Sequence, residues 1–167
     1  GGYWFSGGVT VYDSQVVMEH CAFRHFTSED ALNLVSCPPS QLRHLTFQNC
    51  RGVALDIDFS DIDLSQCQFR NIGGDAVDGS GSRLEVGQVD IQNVADKGVS
   101  LGEACQAVVA DVAVRQAFVG IAVKDASAAT FRQVKLKDCD FGLVVFNKKN
   151  YFHTSKVHFD SLICSDS

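Results

Sequence analysis

Proline, methionine and tryptophan are scarce in this chain of 167 residues, which has two prolines, one methionine and one tryptophan. It also lacks any apolar run near the roughly 20 residues that a membrane-spanning helix needs, so we expect no membrane span. The hydrophobic fraction is 46%. That fraction, with so little proline, indicates a β-rich globular body and argues against disorder.

The sequence begins Gly1-Gly2-Tyr3-Trp4 without an initiating methionine, and we expect no signal peptide within it. Its length fits one domain over residues 1–167. We therefore expect a single domain that is a fragment of a larger protein with linked domains. Tyr3 and Trp4 are expected to cover the N-terminal end of the fold.

An excess of positive charge is missing as well. Fourteen lysines and arginines stand against 20 aspartates and glutamates, which leaves a formal net charge of −6. Without a basic face to neutralise phosphates, a nucleic-acid partner is not expected.

Metal-binding cysteine motifs are absent, although the chain has seven cysteines. No C-x-x-C pair or C…H-x-x-H spacing occurs, so we interpret the cysteines as small hydrophobic side chains. Four are expected to point inward and three to be more exposed. The four are Cys21, Cys50, Cys67 and Cys139, and the three are Cys37, Cys105 and Cys164.

A repeat of about 22 residues runs through nearly the whole chain. Each copy opens on a small residue, and successive openings are 22 or 23 residues apart. These residues are Gly8, Ala31, Ala54, Ala76, Gly98, Gly120 and Gly142. A fixed period of this kind is typical of solenoids and repeat arrays.

Within each copy, apolar residues two apart predict short strands with one buried face. One column begins Val9, Leu32 and Leu55, and a second strand is marked by Phe23, Phe47 and Phe69 in successive copies. A third short apolar segment completes each copy. Three strands per 22 residues and no helical period predict an all-β parallel β-helix of about seven coils. Helical repeats and leucine-rich repeats do not fit, and the crossover rule favours a right-handed coil.

Asparagine recurs at one coil position, as Asn49, Asn71 and Asn93. Stacked amides can hydrogen-bond along the stacking direction, so the spacing predicts an asparagine ladder. The alternative is that asparagine merely suits a turn at this position.

Polar residues concentrate on the outward face of the strand that carries the small-residue column. The candidates for acid/base chemistry are Asp56, Asp58, Asp75, Asp78 and Lys124. Candidates for substrate binding on the same face are Asp30, Asn33, Lys97, Ser100, Glu103, Asp125 and Lys148. Like charges on adjacent strands are destabilising, so four aspartates on two coils suggest a role beyond folding.

Three interpretations of this face stay open. It is a solvated face balanced by lysines, a general acid/base site acting on a sugar, or a Ca²⁺ site. Neighbouring coils about 4.8 Å apart place Asp58 and Asp78 on a diagonal of roughly 8 Å, within the carboxyl separation of inverting glycosidases. Clustered carboxylates also suit Ca²⁺, but Gly73–Ser82 is not an EF-hand loop, and no other cofactor is expected. The five histidines are scattered and predict no metal site.

The coils resemble right-handed parallel β-helix repeat proteins of the pectin-lyase-like superfamily, and are closest to bacterial β-helix repeat domains found in larger secreted or surface proteins. The resemblance extends from Gly7 to about Lys149 and includes the segments Gly74–Ser82 and Asp96–Glu103. It implies a right-handed β-helix at the cell surface or outside the cell.

A more distant likeness is to polygalacturonase-type glycosidases. Asp58, Asp75 with Asp78, and Lys124 look like three of their catalytic stations, but Ser100 and Gly102 stand in the coil where those enzymes have a histidine. The likeness implies recognition of a polysaccharide or oligosaccharide. The missing histidine counts against hydrolase action on acidic polysaccharide and leaves lyase action, epimerase action or binding alone open. The alternative is a structural spacer without catalytic activity.

Overall fold

The computed structural model describes residues 5–166 and contains β-strands but no helix in that range. Tyr3 and Trp4 lie outside the described residues, so their expected contacts stay a prediction. The first seven strands are β1 (Gly7–Tyr12), β2 (Val17–Glu19), β3 (Ala22–Arg24), β4 (Asp30–Val35), β5 (Ser40–Arg43), β6 (Thr46–Cys50) and β7 (Val53–Asp58). The remaining strands are β8 (Asp61–Ser65), β9 (Cys67–Ile72), β10 (Val77–Ser80), β11 (Arg83–Gly102), β12 (Gln106–Lys124), β13 (Ala128–Phe146) and β14 (Lys156–Ser165).

The strands form three parallel faces of one solenoid, because every strand pairs with its counterpart one coil away. Sheet I contains β1, β4, β7, β10 and the final parts of β11, β12 and β13 (97–102, 119–124 and 141–146). Sheet II contains β2, β5, β8 and the first parts of the four long strands. Sheet III contains β3, β6, β9 and later parts of those long strands.

The predicted register is confirmed. In sheet I, Leu32 pairs with Leu55, Leu55 with Val77, and Val77 with Val99, so the coils advance by 22 or 23 residues. Seven strands of sheet I are stacked in this way, and they enclose about six complete turns. The chain is thus a parallel β-solenoid.

The core is a column of apolar side chains that runs the length of the solenoid. Phe47 is fully buried, and its ring stacks on Phe23 and Phe69 with centroid separations of 4.7 and 4.8 Å. Ala54 and Ala76 of the small-residue column are also fully buried. This continuous core gives the solenoid its rigidity, because each coil packs on both neighbours.

The asparagine ladder is present at the exit of sheet III. Asn71 donates to Asn49 at 2.9 Å, and Asn93 donates to Asn71 at 2.8 Å. All three residues have φ between 55° and 57°, in the left-handed region that asparagine tolerates well. Both the stacking amide and the turn therefore favour asparagine here.

A second ladder, of serine and cysteine, lies at the corner between sheets I and II. The Cys37 N–H donates to Ser60 Oγ at 2.8 Å, the Ser60 N–H to Ser82 Oγ at 3.0 Å, and the Ser82 N–H to Cys105 Sγ at 3.4 Å. Cys37 and Cys105 are buried here, so the expectation that they are exposed is wrong. Their side chains are accepted inside the turn because they are small and sulfur accepts a weak hydrogen bond. Cys164, in contrast, is exposed as expected.

Within the described residues no helix is long and apolar enough to span a membrane. The longest segment between strands in the C-terminal half, residues 147–155, connects sheet I to sheet II. It carries Lys148 and Lys149 to the edge of the polar face described next.

Candidate functional site

The outward side of sheet I brings the predicted polar residues together, and we call this surface the acidic face. Asp56 of β7 is the register partner of Asn33 on one side and of Asp78 on the other. Asp78 in turn pairs with Ser100. Since parallel strands are about 4.8 Å apart, Asn33, Asp56, Asp78 and Ser100 form one row along the solenoid axis.

A second outward row runs beside the first. Asp58 pairs with Val35 on one side and Ser80 on the other. Asp58 therefore lies diagonally from Asp78, at the predicted separation of roughly 8 Å. Asp56 and Asp78, as direct neighbours, have backbones only about 4.8 Å apart.

Asp56 lies at the centre of the carboxylate cluster. Asn33 Nδ2 donates to Asp56 Oδ2 at 2.9 Å, and the side chain is about half-buried between its neighbours. Burial, followed by the negative charges of Asp58, Asp30 and Asp78, raises the pKa of Asp56 from 3.8 to about 7. Near neutral pH this carboxyl therefore exchanges between its acid and base forms.

Asp75 is the most deeply buried acid of the cluster apart from Asp30, and Lys97 partners it. The Lys97 backbone N–H and its Nζ donate to Asp75 Oδ1 at 3.0 and 3.2 Å, while Nζ also contacts Asp96 at 2.6 Å. Burial and Asp78 raise the pKa of Asp75 to about 6, although Lys97 opposes this shift. Desolvation lowers the pKa of Lys97, but Asp96 and Asp75 outweigh it and hold that pKa above the usual value.

Asp30 and Asp58 are the two other aspartates of the face whose pKa is raised. Burial raises the pKa of both carboxyls. A hydrogen bond with Ser6 opposes the shift at Asp30, and one with Asn33 opposes it at Asp58. Because burial raises the pKa of Asp30, Asp56, Asp58 and Asp75 alike, these four carboxyls bind protons more readily than exposed aspartates do.

Asp78 has a buried oxygen that is not used by the fold. Among residues 5–166, Asp78 Oδ1 is shielded from solvent and has no hydrogen-bond partner. Buried carboxylate oxygens are normally paired. The Asp78 strand lies between the strands of Asp56 and Ser100, so this unpaired oxygen belongs to the middle of the polar row.

Lys124 reaches into this row from the coil next to Ser100, two coils beyond Asp78. Its Nζ donates to Ser100 Oγ at 2.9 Å, and both side chains are buried, at 9% and 0% exposure. The lysine chain crosses Gly102, where a Cβ would lie only 2.8 Å from Lys124 Cε. Gly102 is therefore required for the ammonium group to lie beside Ser100, next to Asp78.

The C-terminal edge of the acidic face is closed by the 147–155 segment. Asp125 Oδ1 accepts hydrogen bonds from the backbone N–H groups of Lys148 and Lys149 at 2.7 and 2.8 Å. The Lys149 ammonium also forms an ion pair with Glu103. Asp125 is buried and anchors the segment, while the Lys148 side chain stays exposed.

The structure brings together the predicted catalytic candidates Asp56, Asp58, Asp75 and Asp78 on the acidic face, and the Lys124 ammonium lies beside Ser100, the register partner of Asp78. It places Glu103, Asp125 and Lys148 at the C-terminal edge instead, and it engages Lys97 with two carboxylates. Sequence reasoning missed the roles of Asp96 and Lys149 as ion-pair partners. Their position next to Lys97 and Lys148 in the chain was the available signal.

Other clusters in the described chain are less suited to chemistry. Grooves of about 400 and 510 Å³ lie on sheets II and III, and in the second Asp90 is paired with Arg70 and Arg115. His20 and His44 stack on each other at an exposed corner, 4.6 Å apart. Residues 5–166 hold no group of three His, Cys, Asp or Glu side chains arranged for a metal ion, so the Ca²⁺ alternative gains no support.

Glycosidases place their two carboxyl groups about 5–5.5 Å apart when they retain configuration and about 6.5–9.5 Å apart when they invert it. The register gives backbone spacings of about 4.8 Å for Asp56 and Asp78 and of roughly 8 Å for the Asp58–Asp78 diagonal. Of these two pairs, the diagonal is the one whose backbone spacing falls within the inverting range.

No protein-family model matches this chain, and no curated protein sequence matches it.

Proposed function

We propose that this protein is a carbohydrate-recognising β-helix module whose acidic face binds a linear glycan along the solenoid axis. The observation that supports this most strongly is the carboxyl pair Asp56 and Asp78, since Asp56 has a pKa of about 7 and Asp78 presents an unused buried oxygen. Sugar hydroxyls both donate and accept hydrogen bonds, so they complement a row that combines carboxyl, amide and hydroxyl groups.

Action on the bound glycan is the finer part of the proposal. Protonated Asp56 would donate its proton to the glycosidic oxygen, and ionised Asp78 or Asp58 would take a proton from the attacking water. The C–O bond breaks, one water is consumed, and the proton given up by Asp56 is balanced by the one taken up by its partner. Lys124, held by Ser100, is the cation that would neutralise a uronate carboxylate on an acidic polysaccharide.

Membership of the pectin-lyase-like superfamily, a bacterial source and an extracellular or cell-surface location also belong to this proposal. Of these, the parallel β-solenoid with its asparagine ladder supports the superfamily alone. Linked domains in a larger protein are a further part of the proposal.

Enzymatic action is tested by incubating the protein with uronate-containing and neutral oligosaccharides. Reducing ends report hydrolysis, and ultraviolet absorbance of unsaturated uronates reports a lyase. Asp56→Asn and Asp78→Asn should each abolish turnover, while Asp63→Asn on sheet II should not. Binding without turnover would mean that the protein recognises glycans but does not cleave them. The absence of both binding and turnover would contradict the proposal.

A structural spacer is the second candidate function. It is favoured by the two ladders and the phenylalanine stack, which give a rigid rod without any ligand. The spacer function does not explain why five aspartates share one face, four of them with a raised pKa and the fifth, Asp78, with an unpaired buried oxygen. Loss of these aspartates would stabilise a spacer and leave its function intact.

A further inference from the structure

Phe59 is an exposed aromatic residue at the edge of the acidic face. It follows Asp58 at the end of β7, at the corner where sheet I turns towards sheet II. Its side chain is 63% exposed, so it does not belong to the core.

The backbone at this corner is unfavourable for phenylalanine. Phe59 has φ of 50°, and the equivalent residues Asp13, Ser36 and Gly81 also have positive φ. The left-handed region costs an L-residue roughly 1–2 kcal/mol, and asparagine, aspartate and glycine tolerate it best. Folding alone would therefore favour a small polar residue at position 59.

Gly81, one coil further on, leaves room for the ring. A Cβ at Gly81 would lie 2.7 Å from both Cδ1 and Cε1 of Phe59. One side of the ring thus lies directly against the Gly81 backbone, while the remainder faces solvent. The glycine fixes the ring position without covering it.

We propose that Phe59 is a stacking platform for a pyranose ring of the glycan bound on the acidic face. This inference rests on the proposed function and adds a subsite to it. The C–H groups of a pyranose carry partial positive charge and pack on the negative face of an aromatic ring. Asp58, the neighbouring residue, is then placed to accept hydrogen bonds from hydroxyls of the same sugar.

Tyr12 extends the platform along the solenoid axis. It lies in the same outward row as Asp58, two coils away through Val35, and is 58% exposed. Two coils correspond to about 9.6 Å. A linear glycan stacked on Phe59 and Tyr12 would therefore run parallel to the axis across the Asp58 row.

The test compares the affinity of oligosaccharides for the wild type and for Phe59→Asn by isothermal titration calorimetry. The probes are a galacturonate hexasaccharide and a neutral glucan hexasaccharide. Asparagine suits the left-handed backbone, so we expect an unchanged or higher melting temperature together with about tenfold weaker binding. Phe59→Tyr should keep the affinity, and Phe118→Asn, which removes an exposed ring at another corner, should not change it.

The outcomes separate the two proposals. If the wild type binds a probe and Phe59→Asn binds it equally well, the platform is wrong and the proposed function stands. If the wild type binds neither probe, both proposals fail. A sharp drop in the melting temperature of Phe59→Asn would show that the ring serves to cover Gly81, and this would also overturn the platform.

Discussion

Asp56 and Asp78 are register partners on adjacent parallel strands, so two carboxylates lie side by side where opposite or neutral side chains would be more stable. Burial and the neighbouring acids shift the pKa of Asp56 far enough that a proton is retained near neutral pH. On the other two faces, by contrast, Asp63 pairs with Arg43, and Asp90 pairs with Arg70 and Arg115. The pairing of Asp56 with Asp78 also makes stability and chemistry on the acidic face depend on pH.

Stability should fall as the pH rises. The pKa of Asp56 is raised from 3.8 to about 7, so the folded state holds a proton that the unfolded chain has released. The stabilisation is complete below about pH 4 and is lost as pH rises through about 7. The variant Asp56→Asn has no titrating carboxyl at this position. The decrease in unfolding free energy between about pH 5 and pH 8 should therefore be smaller in this variant, by about 1–2 kcal/mol. Urea unfolding at several pH values measures this, with Asp13→Asn on an exposed turn as the control; parallel pH profiles of wild type and Asp56→Asn would refute it.

Removing the lysine beside Asp75 should be more harmful at high pH. Lys97→Met leaves a buried carboxylate without its cation, which should cost about 2 kcal/mol near pH 8. Near pH 5 the carboxyl of Asp75, whose pKa is already raised to about 6, takes up a proton, so the loss should be smaller. Lys97→Arg keeps the positive charge and serves as the control. An equal loss of unfolding free energy at both pH values would contradict the coupling.

The asparagine ladder should contribute both hydrogen bonds and backbone fit. Asn71→Ala removes the bonds with Asn49 and Asn93 and places alanine at φ of 56°, for an expected loss of about 2–3 kcal/mol. Asn71→Gly removes the same bonds but tolerates the backbone, so its loss should be about 1–2 kcal/mol. Denaturant unfolding of both variants separates the two effects. Equal losses would mean that the turn conformation contributes nothing.

The serine and cysteine ladder should accept exchange between its two residue types. Ser82→Ala leaves the buried Ser60 N–H without an acceptor, which should cost about 1–3 kcal/mol. Ser82→Cys restores a sulfur acceptor of the kind that Cys105 already provides, so it should cost less than about 1 kcal/mol. Thermal unfolding compares the pair. A cysteine variant as unstable as the alanine variant would show that the hydroxyl donor bonds, not the acceptor role, stabilise this corner.

Much of the solenoid could be predicted because apolar residues recur where strands stack. The columns through Leu32 and Phe47 and the asparagine ladder all follow from a single period. The serine and cysteine ladder was missed because its members change residue type from coil to coil and resemble ordinary turn residues. Cys37 and Cys105 were therefore placed outside, although their corner positions point inward.

The site was predictable as a face but not as a set of contacts. Register alone places Asp56 beside Asp78, since strand pairing fixes backbone neighbours. The path of Lys124 across Gly102 to Ser100 depends on side-chain conformation, which a period does not specify. The same holds for Lys97, whose ammonium group forms ion pairs with Asp75 and Asp96 and does not extend into solvent above the face.

The most direct test of glycan recognition by the acidic face is a map of backbone amide chemical shifts during titration with the galacturonate and glucan hexasaccharides. We predict that the perturbed amides cluster on sheet I, at Asn33, Asp56, Asp78 and Ser80, and extend to Phe59. Shifts confined to sheets II and III, or no shifts with either oligosaccharide at millimolar concentration, would contradict the assignment of the acidic face as a carbohydrate site.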